Sequence, residues 1–193
     1  MNDFEKALAE WTSAPFVITT DSCTHAIELG LRYQKPKMYA TLPKKTHFSV
    51  PMTLRNLGIE YMFTDDEWEK EYRIEGSIVW DSANYFEKDM FKVEIGKSKL
   101  MCISFSSDSP LNLGAGGAIL TNDRKAAAWL SRAANGGRDL EITCWEDQKE
   151  FNIGYQYYMK HADCEAANLL LTAGNFNKPH YGYPDLSNIV FNS

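Results

Sequence analysis

Acidic and hydroxyl side chains close three short apolar runs of this chain, where each would be available to a ligand. Asp81 ends the run Ser77-Ile-Val-Trp-Asp81, Ser104 lies at the end of a second run, and Asp21 lies near the end of a third. An acid at the end of a buried strand costs free energy unless a partner compensates its charge. From the residues alone, the partner of Asp81 is either a bound ligand or the backbone of a helix cap or strand-end turn, and both interpretations stand.

Alternating strands and helices are predicted to hold these residues. We predict strands near residues 16–19, 37–42, 59–63, 77–80, 100–105 and 116–121, and helices near 4–11, 23–33, 51–57, 123–135 and 161–172. This alternation predicts an α/β fold with three layers, α/β/α, around a mostly parallel sheet with one antiparallel strand near residues 117–121. Because ligands bind open α/β sheets at the carboxyl ends of strands, we expect Asp21, Asp81 and Ser104 to converge there.

The composition indicates a globular protein and excludes several classes of function. The 193 residues carry a net charge of −6 and include no basic block, so we expect neither nucleic-acid nor membrane-surface binding. The 4 cysteines lack paired metal-ligand spacing and are too sparse for a disulfide scaffold, which indicates a reducing, cytoplasmic setting and no metal site. We find no signal-peptide pattern at the start and no apolar run of membrane-spanning length.

A longer glycine-rich stretch makes the pattern more specific. It runs Ser104-Phe-Ser-Ser-Asp-Ser-Pro-Leu-Asn-Leu-Gly-Ala-Gly-Gly-Ala-Ile-Leu-Thr-Asn-Asp123, and together with Asp81 it resembles the cofactor-binding half of the DegT-type nucleotide-sugar aminotransferases. That family uses pyridoxal phosphate (PLP) and has the aspartate-aminotransferase-like fold. Asn135-Gly-Gly-Arg138 and Gly154-Tyr-Gln-Tyr-Tyr-Met159 resemble two further turns of the family, so the resemblance spans about residues 4–171.

The resemblance implies a role for the polar residues at the strand ends. Asp81 would keep the pyridine nitrogen of PLP protonated, so that the ring can act as an electron sink, and Asn84 would lie near the ring oxygen. His47 would stack on the ring face, although a lone histidine is by itself more typical of a surface. Ser104 would contact the phosphate, although a serine at a strand end is by itself common.

Two further phosphate contacts are implied, one from a helix start and one across a subunit boundary. Cys23 and Thr24 would offer the N–H groups of a helix N-terminus to the phosphate. Helix capping by Asp21 or Ser22 explains the same turn without a ligand. Gln156 stands where the family has an asparagine that reaches the phosphate in the neighbouring subunit, so we expect a homodimer.

The chain departs from the family at the position that carries the covalent chemistry. Counted from Ser104 without a gap, the Schiff-base lysine position of the family is Ser109, and serine cannot form an imine. The acidic residue before the glycine pair is replaced by Ala115, and Asp108 would repel a phosphate. The C-terminal small domain of the family has no counterpart, so we predict a large domain over residues 1–175 and an irregular tail over 176–193.

Three hypotheses for the function follow from this resemblance. The first is a reduced homologue, a pseudoenzyme without the catalytic lysine, whose pocket binds PLP non-covalently or binds another phosphorylated ligand or a nucleotide sugar. The second is a non-enzymatic scaffold or interaction protein that uses the dimeric fold. The third is an active sugar-modifying enzyme that works with the amine form of the cofactor. We favour the first, because the positions for non-covalent contacts are retained while the lysine is absent.

Overall fold

Five helices and seven strands form the fold of the computed structural model, which describes residues 2–36, 38–174, 176 and 182–191. The helices are α1 (Asp3–Thr12), α2 (Cys23–Tyr33), α3 (Ser49–Asn56), α4 (Arg124–Ala134) and α5 (His161–Ala173). The strands are β1 (Phe16–Thr20), β2 (Ala40–Pro43), β3 (Tyr61–Thr64), β4 (Tyr72–Arg73), β5 (Val79–Asp81), β6 (Leu100–Ser104) and β7 (Gly117–Thr121). The predicted elements are present with small shifts at their ends, and β4 is an additional strand.

Polar side chains fix where the helices begin. Asn2 forms a capping box at the start of α1, Ser22 Oγ accepts a hydrogen bond from a backbone N–H in the first turn of α2, and Asp123 does the same for α4. These bonds satisfy N–H groups that the start of a helix leaves without intrahelical partners. The cap on α2 matters for function because it sets the start of that helix directly after the end of β1.

The main sheet has the strand order β1-β7-β6-β5-β4, and β2 and β3 form a separate parallel pair. The α/β class is confirmed, and β7 is antiparallel to its two neighbours, as predicted for residues 117–121. The prediction of a mostly parallel sheet needs correction, because only β5 and β6 pair in parallel within the main sheet. Strands β1, β5 and β6 still run in one direction. The position of β7 between β1 and β6 makes two of the pairings antiparallel, and the short return strand β4 makes a third.

Apolar side chains cover both faces of the sheet and form two separate cores. On one face, Ile18, Cys102 and Ile119 pack with residues of α2, α3 and α4. On the other face, Met101 and Leu120 pack with residues of α1 and α5. Neighbouring strand residues thus point to opposite faces, which gives the predicted three-layer α/β/α arrangement. In the part of the chain that the structure describes, no helix is both long and apolar enough to cross a bilayer.

A segment beyond α5 returns to the loop that follows β2. The backbone N–H of Leu186 donates to the carbonyl of Lys44 at 2.9 Å, and Lys45 and Asp185 form an isolated antiparallel bridge. Leu186 is buried, with 4% of its surface exposed. Part of the predicted irregular tail is therefore packed against the domain, whereas residues 177–181, 192 and 193 lie outside the described residues.

Candidate functional site

A cavity of about 490 Å³ lies at the carboxyl ends of β1, β5 and β6. Asp21, Asp81 and Ser104, which follow or end these three strands, all line it. Gly116 lines it as well, because the antiparallel strand β7 begins at this end of the sheet. The volume is in the range of small-molecule sites, roughly 300–1,000 Å³. The structure thus brings together the polar residues that the sequence placed at separate strand ends.

Most of the predicted site residues share this cavity. Those that line it are Cys23, Thr24, His47, Asp81, Asn84 and Ser104. Gln156 does not line it but is exposed, and it forms an isolated bridge with Asn135. Since Gln156 was predicted to serve a neighbouring subunit, its position outside this cavity does not decide its role. Ser109, which the sequence resemblance assigns to the lysine position of the family, is buried and lines the cavity together with Asp108.

Asp81 is the most deeply placed acid of the cavity, with 2% of its surface exposed. Its Oδ1 accepts a hydrogen bond from the backbone N–H of Ala83 at 3.0 Å, and its Oδ2 accepts one from the hydroxyl of Tyr72 at 2.9 Å. Burial raises the pKa of Asp81, while these two hydrogen bonds act in the opposite direction. The strand-end turn, which the sequence offered as an alternative to a ligand as the partner of Asp81, is therefore present. Each carboxylate oxygen still has room for a second donor, since it has two lone pairs.

Tyr72 is a site residue that the sequence did not indicate. It lies on β4 opposite Asp81, and β4 is only 2 residues long, which is too short for an alternating pattern to be recognised. Its hydroxyl lies 2.5 Å from Oγ1 of Thr46, so Thr46 donates to Tyr72 while Tyr72 donates to the carboxylate. Burial, followed by the charge of Asp81, raises the pKa of Tyr72 well above its usual value. The hydroxyl therefore stays protonated and remains a donor.

The start of α2 is held against the sheet by a close backbone approach. A Cβ atom on Gly117 would lie 2.5 Å from the backbone nitrogen of Cys23, so a glycine is required at this point. Thr20 Oγ1 donates to the carbonyl of Ser22 at 2.8 Å and fixes the turn that precedes the helix. The first N–H groups of α2, at Cys23 and Thr24, belong to residues that line the cavity. A helix start in this position favours an anionic group.

Asp21 is partly committed to another partner within the chain. Its Oδ1 lies 2.6 Å from Nδ1 of His25, and the ring of His25 stacks on Tyr157 with 3.7 Å between centroids. The backbone N–H of Asp21 donates to the carbonyl of Tyr157 at 2.7 Å. The segment that carries Gln156 is thereby joined to the rim of the cavity.

Three serine hydroxyl groups lie close together around Ser109, the predicted position of the missing lysine. Ser104 Oγ donates to Ser106 Oγ at 3.2 Å, and Ser106 Oγ lies 2.9 Å from Ser109 Oγ. Among the described residues that line the cavity none is a lysine or an arginine. Lys99 precedes β6 at the opposite end of that strand, where its Nζ contacts both carboxylate oxygens of Glu71 at 2.8 and 2.9 Å. The described lining of the cavity therefore holds no side-chain amine that could form an imine.

The cavity thiol is held in its neutral form. Burial is the largest cause that raises the pKa of Cys23 well above its usual value, and the charge of Asp81 adds to the effect. A thiolate is the reactive form of cysteine, so this environment does not make Cys23 a nucleophile. Its backbone N–H, rather than its sulfur, is the group suited to a ligand.

An aromatic wall closes the cavity on the side of the loop after β2. Nδ1 of His47 lies 2.7 Å from the hydroxyl of Ser49 and accepts from the backbone N–H of Ser49 at 3.2 Å. Tyr183 approaches the ring of His47 edge-on at 5.7 Å between centroids, and its hydroxyl donates to Oδ1 of Asn84 at 3.1 Å. Burial, then the charge of Asp81, raises the pKa of Tyr183. Nothing local in the sequence indicated that Tyr183 belongs to this site.

In sequence, the first part of this chain is similar to a family of aminotransferases. The model of the DegT/DnrJ/EryC1/StrS aminotransferase family matches residues 1–77. No curated protein matches the chain in sequence. The resemblance to the DegT-type family is therefore confirmed over the matched residues, and its extension to the rest of the chain rests on the fold.

Solved structures of aminotransferases share the fold over most of the chain. A putative PLP-dependent aminotransferase from Bacillus cereus superposes with a TM-score of 0.67 at 18% identity, covering 88% of this chain and 56% of its own. NtdA from Bacillus subtilis with bound cofactor PMP gives 0.67 at 18% identity, covering 87% and 46%. DesI in the presence of its TDP-sugar product gives 0.67 at 17% identity, covering 89% and 52%. This chain thus has the aminotransferase large-domain fold and spans about half the length of those proteins.

Proposed function

We propose that this chain is a reduced homologue of the PLP-dependent nucleotide-sugar aminotransferases, whose cavity binds a phosphorylated aromatic ligand such as PLP without a covalent bond. The observation that carries the proposal is the pairing of a buried carboxylate, Asp81, with a hydroxyl, Ser109, at the lysine position of the same cavity. A carboxylate can hold a protonated ring nitrogen, whereas a serine cannot form an imine. The chain therefore retains recognition and lacks the means of ordinary transamination.

The cavity residues fit non-covalent binding of PLP and do not fit its covalent attachment. When bound, PLP supplies an electron sink to the chemistry of an enzyme. Asp81 would accept a hydrogen bond from the ring nitrogen, Asn84 would lie beside the ring oxygen, and His47 would cover a ring face. The N-terminus of α2 and Ser104 would hold the phosphate through N–H and hydroxyl donors. All of these groups line one cavity.

The charges around the cavity argue for weak and reversible binding. The charged side chains of its described lining are the acids Asp21, Asp81 and Asp108. Two of them, Asp21 and Asp108, stand near the groups that would hold a phosphate, and like charges repel. The dipole at the start of α2 offsets this repulsion only in part, since such a dipole contributes about 0.3–1 kcal/mol at an exposed site.

Isothermal titration calorimetry tests the proposal directly. The intact chain is titrated with PLP, with its amine form and with a nucleotide sugar, in parallel with the Asp81→Ala variant and the control variant Asp66→Ala, whose carboxylate accepts from Thr64 outside the cavity. We expect a measurable heat with at least one ligand, a loss of about tenfold in affinity for Asp81→Ala, and no change for the control. Equal binding by the native chain and Asp81→Ala would refute the role of the carboxylate. No heat with any ligand would favour the scaffold hypothesis.

The second candidate function, a scaffold that uses the dimeric fold, is favoured by an exposed apolar surface around the segment that carries Gln156. The large side chains exposed there are Leu140, Trp145, Phe151, Ile153, Tyr155 and Tyr158. Tyr157 is an exception, because it stacks on His25 of its own chain. Aromatic residues are enriched at protein interfaces, so this surface is suited to a second copy of the chain whether or not the cavity is occupied.

A further inference from the structure

The segment 182–191 contributes two of the lining residues of the cavity, Tyr183 and Pro184. It follows α5 in the sequence, yet it contacts the loop after β2 and the end of β5. Its hydrogen bonds to those elements span more than 90 positions of the chain, such as the separation of 99 between Tyr183 and Asn84. These contacts join residues far apart in the sequence, so the segment makes them only when it is folded against the cavity residues.

Tyr183 contacts two residues that a ligand ring would also need. Its hydroxyl donates to Asn84 at 3.1 Å, and its ring lies edge-on to His47 at 5.7 Å between centroids. The ring also stacks on Trp68, with 6.0 Å between centroids and an angle of 23° between the planes. The side chain is half-buried. An aromatic ring that is already seated against Asn84 and His47 leaves less of their surface for the ring of a ligand.

The segment is anchored outside the cavity, three residues beyond Tyr183. Leu186 is buried at 4% exposure, and its backbone N–H donates to the carbonyl of Lys44 at 2.9 Å. Lys44 Nζ pairs with Asp185 at 3.2 Å and with Asp65 at 2.7 Å. Leu186, Lys44 and Asp185 are not part of the cavity lining. The anchor and the part that enters the cavity can therefore be changed separately.

We propose that residues 182–186 form a strap that closes the cavity, with Tyr183 as an internal competitor that must leave before an aromatic ligand can enter. The class of ligand that the strap excludes rests on the proposed function, whereas the closure itself does not depend on it. The apparent affinity of a ligand for a closed site falls by the fraction of molecules that are open. A strap that is open in one molecule in ten would weaken binding about tenfold.

Closure is measured without any ligand through the thiol of Cys23, which lines the cavity and whose burial there should make its reaction slow in the closed state. The rate of its modification by a maleimide is determined by peptide mass spectrometry, with the exposed Cys144 as an internal reference. We expect Leu186→Ala and Tyr183→Ala to label Cys23 several-fold faster than the native chain, with Cys144 unchanged. Val190→Ala, which alters a residue 79% exposed in the same segment, is the matched control and should label like the native chain.

Competition is measured by titrating the same proteins with PLP. Leu186→Ala and Tyr183→Ala should bind PLP more tightly by a factor similar to the gain in the labelling rate. Tyr183→Phe, which keeps the ring but removes the hydroxyl that donates to Asn84, should lie between them and the native chain. Unfolding curves confirm that each variant is folded. Equal labelling of Cys23 in all folded proteins, or weaker PLP binding by Tyr183→Ala, would overturn the strap. Faster labelling without PLP binding by any protein would support closure and reject the proposed function.

Discussion

At the scale of single residues, the most informative part of the cavity is the buried acid Asp81 with its hydrogen-bond donors. Asp81 accepts from Ala83 and Tyr72, and Tyr72 is in turn fixed by Thr46. A buried carboxylate is costly because it leaves water, and hydrogen bonds recover part of the loss. Burial raises the pKa of Asp81 in spite of its two hydrogen bonds, so these bonds do not fully compensate the buried charge. The proposed ligand, which would add a partner for Asp81, would offset more of this cost.

Replacing Asp81 by Asn should make the stability of the protein less dependent on pH. Burial raises the folded-state pKa of Asp81 above its usual value of 3.8. The native chain therefore loses stability as pH rises from the unfolded pKa through the higher folded pKa, by about 1.4 kcal/mol for each unit between them. Asp81→Asn lacks this loss, so its free energy of unfolding relative to the native chain should increase over that window and then stay constant.

Urea unfolding of both proteins at a series of pH values gives this difference directly. The control is Asp66→Asn, because Asp66 is exposed and accepts from Thr64 at 2.7 Å outside the cavity. The free energy of unfolding of this control, relative to the native chain, should not rise over the same pH window. A free-energy difference for Asp81→Asn that falls as pH rises would show that the carboxylate is stabilised, rather than penalised, by its surroundings.

At the scale of secondary-structure elements, most of the framework follows from local patterns. The helices and the six longer strands repeat apolar residues over enough positions for their period to be read, and Ser22 and Asp123 cap the helices that follow them. The mostly antiparallel pairing was less accessible. It depends on β7 lying between β1 and β6, which no local pattern indicates, and on β4, which has only 2 residues and is antiparallel to β5. Tyr72 was missed with it, since its bond to Asp81 depends on that pairing. Tyr183 was missed because its partners are far away in the sequence.

The junction between β7 and α2 should tolerate no side chain at Gly117. A Cβ atom there would meet the backbone of Cys23 at 2.5 Å and of Ser22 at 2.6 Å, and backbone atoms cannot move aside cheaply. Gly117→Ala should therefore lower the free energy of unfolding by about 3 kcal/mol, at the upper end of ordinary overpacking costs. Gly58→Ala is the control, because its Cβ would meet nothing within 4 Å and only its positive φ of 65° is unfavourable.

Chemical denaturation of the two glycine variants measures the difference. We expect the control to lose about 1 kcal/mol, the usual cost of the left-handed backbone for a residue with a side chain. The Gly117 variant should also lose ligand affinity, because the start of α2 would shift away from the cavity. Equal stability of the two variants would show that the close approach of β7 and α2 is not a tight constraint.

At the scale of the whole molecule, we expect two copies of the chain to associate through the exposed surface around Tyr155 and Tyr158. These side chains are 56% and 45% exposed. Tyr158→Glu places a charge on that surface and should shift the equilibrium towards monomers, whereas Val190→Glu on another exposed segment should not. Multi-angle light scattering over a range of concentrations measures the mass of each. A native chain that is monomeric at all practical concentrations would reject the homodimer.

The central claim is that the cavity recognises a ligand without attaching it. The most direct test is to incubate the native chain and Ser109→Lys with PLP, reduce both with borohydride, and map the modified peptides by mass spectrometry. We predict no reduced adduct on a lysine at the strand ends of the native chain and an adduct on the introduced lysine, because only an amine in the cavity can form the imine. A reduced adduct on a native lysine that reaches the cavity would contradict the account.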